Sequence, residues 1–125
     1  MKITRIYTGD DNQSHFEELE VPMLPAAYGN DSDSMPVKEL IFRETSGAAS
    51  FGFHTTARRQ FMVTLSGIGE VECRDGTRHH FGPGDILLAE DTTGQGHMSR
   101  DIQGPRCRIF IPLPEEFDVS AWRVR

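Results

Sequence analysis

Turn signals recur so closely through the middle of this chain that the segments between them suit strands better than helices. Ser66-Gly67, Asp75-Gly76 and Gly82-Pro83-Gly84 all fall within residues 66–84. Asp-Gly between apolar runs is a strong hairpin signal, because the tight turn it favours needs positive φ at both central residues. Pro83 between two glycines forces a further reversal. With 12 glycines and 7 prolines in 125 residues, the rest of the chain is punctuated in the same way. Short apolar runs bounded by such residues read as strands. Strands are expected over 2–8, 15–21, 37–43, 48–54, 60–65, 84–90, 96–102 and 106–112, with the hairpin around Asp75-Gly76 adding more. Residues 26–36 read as a polar loop and 115–125, with Trp122, as a cap or short helix. About ten strands on short turns predict an all-β domain, an antiparallel double-sheet jelly-roll barrel.

No linker or repeat divides the chain, so residues 1–125 read as a single domain. That length lets a chain bury roughly two-thirds of its unfolded surface. A net charge of −6 argues against nucleic acid, whose phosphates call for a basic face. No run approaches the ~18 apolar residues of a membrane helix. The first residues, Met1-Lys2-Ile3-Thr4-Arg5, carry no apolar export core, and the expectation is a cytoplasmic protein. Cys73 and Cys107 have neither the number nor the spacing of a disulfide framework or a thiolate metal site. Arginine is locally dense at Arg58-Arg59 and at Arg100, Arg106 and Arg108. It suits carboxylate or phosphate recognition, although a solvated strand face is the default reading.

The stretch from His54 to His97 carries a family pattern. His54, Thr56, Gln60 and Gly67 stand where the first cupin motif has its two histidines, its glutamate and its closing glycine. Gly84-Asp85 opens the second motif, Glu90 and Thr92 stand at its proline and glycine, and His97 arrives later than the pattern places its histidine. The chain therefore resembles the cupin family over roughly residues 37–113, with 1–36 as an N-terminal arm and 114–125 as a tail. The resemblance implies a divalent transition metal (Fe, Mn, Ni, Cu or Zn) held by His54, Gln60 and His97. Threonine and glutamine replace a histidine and the carboxylate, so Glu90 or Asp91 would have to supply the missing negative charge. It also implies a homodimer, for which the apolar Phe61, Val63 and Leu65 face is the candidate surface.

Strand alternation then selects a lining. His54 and Thr56 share a parity, as do Gln60 and Met62, and as do His97, Ser99 and, further along, Cys107. The expected ligand-binding residues are Thr56, Gln60, Met62, Ser99 and Cys107, in a mostly apolar cavity with few polar groups. The expected partner is a small polar or anionic metabolite. The alternatives are a metal-dependent oxygenase, isomerase or lyase, and a metal-free sugar-type epimerase with His54 or His97 as general base. His79-His80, Asp75 and Asp85 read as surface and turn residues.

Overall fold

The computed structural model describes residues 1–124. Ten strands follow one another: β1 (Lys2–Thr8), β2 (Ser14–Glu20), β3 (Leu24–Ala26), β4 (Gly29–Asp31), β5 (Ile41–Thr45), β6 (Ser50–His54), β7 (Gln60–Cys73), β8 (Arg78–Phe81), β9 (Ile86–Ala89) and β10 (His97–Pro112). A single 3-10 turn, Ser120–Trp122, follows them. The protein is all-β, as its turn chemistry requires. Among the described residues no helix is long and apolar enough to cross a membrane.

Two long strands build the double sheet. β7 and β10 run to 14 and 16 residues and pair antiparallel along nearly their whole length. Their outer halves, Gln60–Ser66 against Cys107–Pro112, belong to one sheet in the order β2-β1-β9-β7-β10-β5. Their other halves pair with β8 on one side and β6 on the other. The ladder is irregular where the strands change sheet: Gln103 opposes Ile68 and Cys107 opposes Ser66, leaving Gly104, Pro105 and Arg106 opposite Gly67. Gly67 has φ +75, a conformation open to glycine and strained for other residues. Ser66-Gly67, expected as a hairpin turn, is instead part of a bulge. Such a bulge bends a strand without ending it, which is how one strand serves two sheets. Asp75-Gly76 does form its hairpin, with Gly76 at φ +88.

The N-terminal residues are integral to the barrel. β1 is an internal strand, antiparallel to β2 and parallel to β9, the one parallel pairing among the described strands. The polar loop expected over 26–36 begins inside a small β3-β4 hairpin. The larger sheet is buried on both faces, which explains apolar residues at both parities of its strands. One face packs Ile6, Leu87 and Ala89 against Val71, Cys73 and Phe81 of the opposite sheet. The other gathers Ile3, Leu19, Leu88 and Phe61 beneath Val119, Phe117 and Trp122. Phe61 meets Phe117 edge-on at 5.7 Å and stacks on Trp122 at 6.4 Å. The chain's own tail thus covers Phe61, removing part of the face expected to pair two subunits, while Leu65 stays exposed. Phe117→Ala should lower the unfolding free energy by about 2 kcal/mol, from lost apolar burial and lost aromatic contact. Urea denaturation measures this, and an unchanged midpoint would show that the tail lies loosely on the sheet.

Candidate functional site

A cavity of about 210 Å³ lies between the two sheets. A single water needs only ~10–15 Å³ of such space. His54, Thr56, Gln60, Met62, His97 and Ser99 all line it, so the expected lining is brought together, with one exception. Cys107 is absent from the lining; Arg106, Arg108 and Phe110 stand there instead. Simple alternation carries the parity of His97 and Ser99 on to Cys107. The bulge at 103–107 shifts it by one, so even-numbered residues face inward beyond it.

The end of the cavity at His97 is organised by Asp91, which has no solvent exposure. Ser14 Oγ and Thr56 Oγ1 each donate to its carboxylate at 2.7 Å, and His97 Nδ1 donates at 2.5 Å. Burial works to raise the Asp91 pKa, but these hydrogen bonds and the neighbouring imidazole outweigh it and hold the carboxyl below its ordinary range. An ionised Asp91 only accepts, so all three neighbours must donate. In its neutral form His97 therefore carries its proton on Nδ1 and its lone pair on Nε2. The hydroxyl of Thr56 is committed to Asp91 and not to a ligand. His54 lies at the rim, exposed, with Nδ1 donating to Gly52 O at 2.6 Å. The two imidazole rings are 4.8 Å apart. Gly96 allows this closeness: its φ is +72, and a Cβ there would collide with the backbone carbonyl of His54.

The other end is cationic. Arg106, 6 % exposed, lies flat over Gly69, where a Cβ would collide with its guanidinium. It donates from one terminal nitrogen to Asp101 at 3.1 Å, while its Nε is buried without a partner. Arg108 has no carboxylate partner among the described residues, and its Nε is likewise buried and unpaired. Arg43 stands directly opposite Arg108 across the β5–β10 pair, and both guanidiniums lie over the Phe110 ring. Like charges set opposite each other oppose folding. Burial, together with the charges of Arg106 and Arg43, pushes the Arg108 pKa down to about 10, which leaves it cationic at neutral pH. The remaining arginines of the dense region are paired: Arg58 with Glu39, Arg59 with Glu90, and Arg100 with Glu70.

This donor set does not suit a divalent cation. His54, Gln60 and His97 supply neutral ligands alone, and among the described residues no group of three His, Cys, Asp or Glu is placed to hold a metal. The carboxylates that would restore charge are committed elsewhere. Asp91 sits behind His97, Glu90 is held by Arg5 and Arg59, and Glu70 by His80 and Arg100. Three arginines on the same cavity add repulsion. The metal expected at His54, Gln60 and His97 is thus disfavoured by the charge of the site itself. Neither cysteine offers an alternative: Cys73 is buried with its thiol pushed up to about 11, chiefly by desolvation.

No family model matches the chain, and no curated protein sequence matches it. Among solved structures it is similar to QdtA, a sugar 3,4-ketoisomerase from Thermoanaerobacterium thermosaccharolyticum in complex with TDP. The two share 12 % identity over 80 % of each chain, with a TM-score of 0.48. That likeness is one of backbone course and bears on neither ligand nor chemistry.

Proposed function

We propose that the barrel binds a small anionic metabolite, a carboxylate or a phosphate ester, between the arginine end and the histidine end of its cavity. One observation carries this reading: Arg106 and Arg108 face the cavity with buried, unpartnered Nε atoms, and among the described residues Asp101 pairs with Arg106 while no carboxylate pairs with Arg108. Buried donors left unpaired cost stability, and sites that keep such groups commonly do so for a ligand. Guanidinium groups suit planar oxyanions because they offer two parallel donors. In a chain of net charge −6, a local concentration of positive charge also selects by sign.

The test is a titration at constant ionic strength with inorganic phosphate, acetate, malonate and pyruvate, followed by thermal shift and calorimetry. At least one of these should raise the melting temperature saturably, with a dissociation constant at or below ~1 mM. Arg108→Gln should remove the response. No response to any of the four, or an equal response in the variant, would refute the reading.

A further inference from the structure

The geometry points to a second binding site, on the outer face of the large sheet, for a small organic ammonium ion with an aryl or alkyl body. Two cavities there share Trp122 as a wall. One, of about 180 Å³, is lined by Phe61 and Ile86 of the sheet, Trp122 of the tail, and Met1, Met23 and Met35. Ser32 and the indole nitrogen are its only polar side-chain groups among the described residues. An apolar cavity of about 150 Å³ is enough to hold a benzene ring. The other, of about 240 Å³, shares Ser32, Met35 and Trp122 with the first and adds Phe117, Asp33 and Asp118. Together they form a groove that is apolar at one end and acidic at the other.

This groove is separate from the cavity between the sheets. Alternate residues of the same strands serve the two spaces: Phe61 and Ile86 line the groove, whereas Gln60, Met62 and Leu87 line the cavity. Phe61, Phe117 and Trp122 form one cluster of rings, the last two perpendicular at 5.8 Å. A cation set over an indole face is attracted by the ring, and tryptophan is the strongest of the aromatic side chains in this respect. The unbranched methionines adapt to the outline of an apolar body. Charge then selects the occupant. The backbone N–H and hydroxyl of Ser120 bond the Asp118 carboxylate at 2.9 and 3.1 Å and hold it below its ordinary range, so it is anionic at neutral pH. Among the described residues neither Asp33 nor Asp118 pairs with a cation. The Met1 ammonium is committed to Glu20, and Arg59 to Glu90 and the carbonyl of Phe117. An anion in this groove meets two carboxylates in a chain of net charge −6, and a cation is attracted by both.

The experiment titrates the full chain with benzylammonium. Benzyl alcohol and phenylacetate supply a similar body without the positive charge, and methylammonium supplies the charge without the body. Trp122 is the sole tryptophan of the chain, so its fluorescence reads the site directly. Benzylammonium should change it saturably, with a dissociation constant at or below ~1 mM. Benzyl alcohol should bind at least ~5-fold more weakly, and neither phenylacetate nor methylammonium should saturate. In spectra of 13C-methyl methionine, the signals of Met1, Met23 and Met35 should move with benzylammonium. Those of Met62 and Met98, which line other cavities, should stay in place. Asp33 and Asp118 are exposed, so their replacement spares the core. Asp33→Asn and Asp118→Asn should each weaken benzylammonium by about 2- to 5-fold and leave benzyl alcohol unchanged. The site is overturned by any of four results: no saturable response to benzylammonium, equal affinity for benzyl alcohol, movement of Met62 or Met98 alone, or full affinity in the double variant. None of these results bears on anion binding in the inner cavity.

Discussion

Replacing Arg108 with methionine is expected to weaken anion binding and, in the same protein, to raise the stability of the free barrel. Arg108 has no carboxylate partner among the described residues, faces Arg43 across a strand pair, and holds a buried, unbonded Nε. Burial and like charge act together against its cationic form, which is why its pKa falls to about 10. Methionine keeps most of the stem's packing over Phe110 and removes the charge. The gain should be about 1 kcal/mol in urea denaturation without added anion, since exchanging a buried ionic group for an apolar one is often neutral or stabilising. Affinity for phosphate or a carboxylate should fall ~10- to 100-fold, because a charged hydrogen bond is worth about 1.5–3 kcal/mol. Loss of stability together with unchanged affinity would make Arg108 an ordinary structural cation.

Asp91→Ala should act in the opposite sense and destabilise the fold by about 3 kcal/mol. It strips the acceptor from three buried donors at once, on Ser14, Thr56 and His97, and leaves a gap at a residue with no exposure. The pH dependence identifies the group responsible. The folded state holds the Asp91 carboxyl below its ordinary value of 3.8, and unfolding lets it return there. The unfolded chain therefore binds more protons in that acid window. The stabilisation is fully present above the unfolded value and is lost as pH falls through the folded one. Denaturation curves from pH 7 down to pH 2 should show a parent that weakens in acid and an Asp91→Ala protein that is weaker at neutral pH but responds less below pH 4. Parallel curves for the two proteins would assign the acid sensitivity to other carboxylates.

Much of this site was legible beforehand, and the part that was not has a single cause. His54, Gln60 and His97 were placed on the cavity by the motif positions they occupy, and Met62 and Ser99 by parity from them, because each lies on a stretch where alternation holds. Arg106 and Arg108 were visible as dense arginine, but parity counted from His97 turned them outward and Cys107 inward. The count fails across Gly104-Pro105, where residues of β10 have no partner of their own on β7. Gly-Pro beside Ser66-Gly67 was the available sign of a bulge, and it was read as punctuation between separate strands. Asp91 shows a different limit. It was considered as a metal ligand because of its place in the loop, whereas its neighbours Ser14 and Thr56 come from distant parts of the sequence. Only the parallel docking of β1 beside β9 brings Ser14, on the strand after β1, within reach of it.

The joint in β10 also acts as a ruler. His97 and Arg108 belong to one continuous strand, so the span between the imidazole and the guanidinium is set by the residues that join them. In a regular strand a single inserted residue would reverse every side chain beyond it, discarding the arginines along with the change. The stretch around Gly104–Arg106 is already out of step with β7, so length can be added or removed there while both ends keep their orientation. On the anion-binding reading proposed above, variants of this barrel altered only in that joint would accept longer or shorter anions with the same two sets of residues.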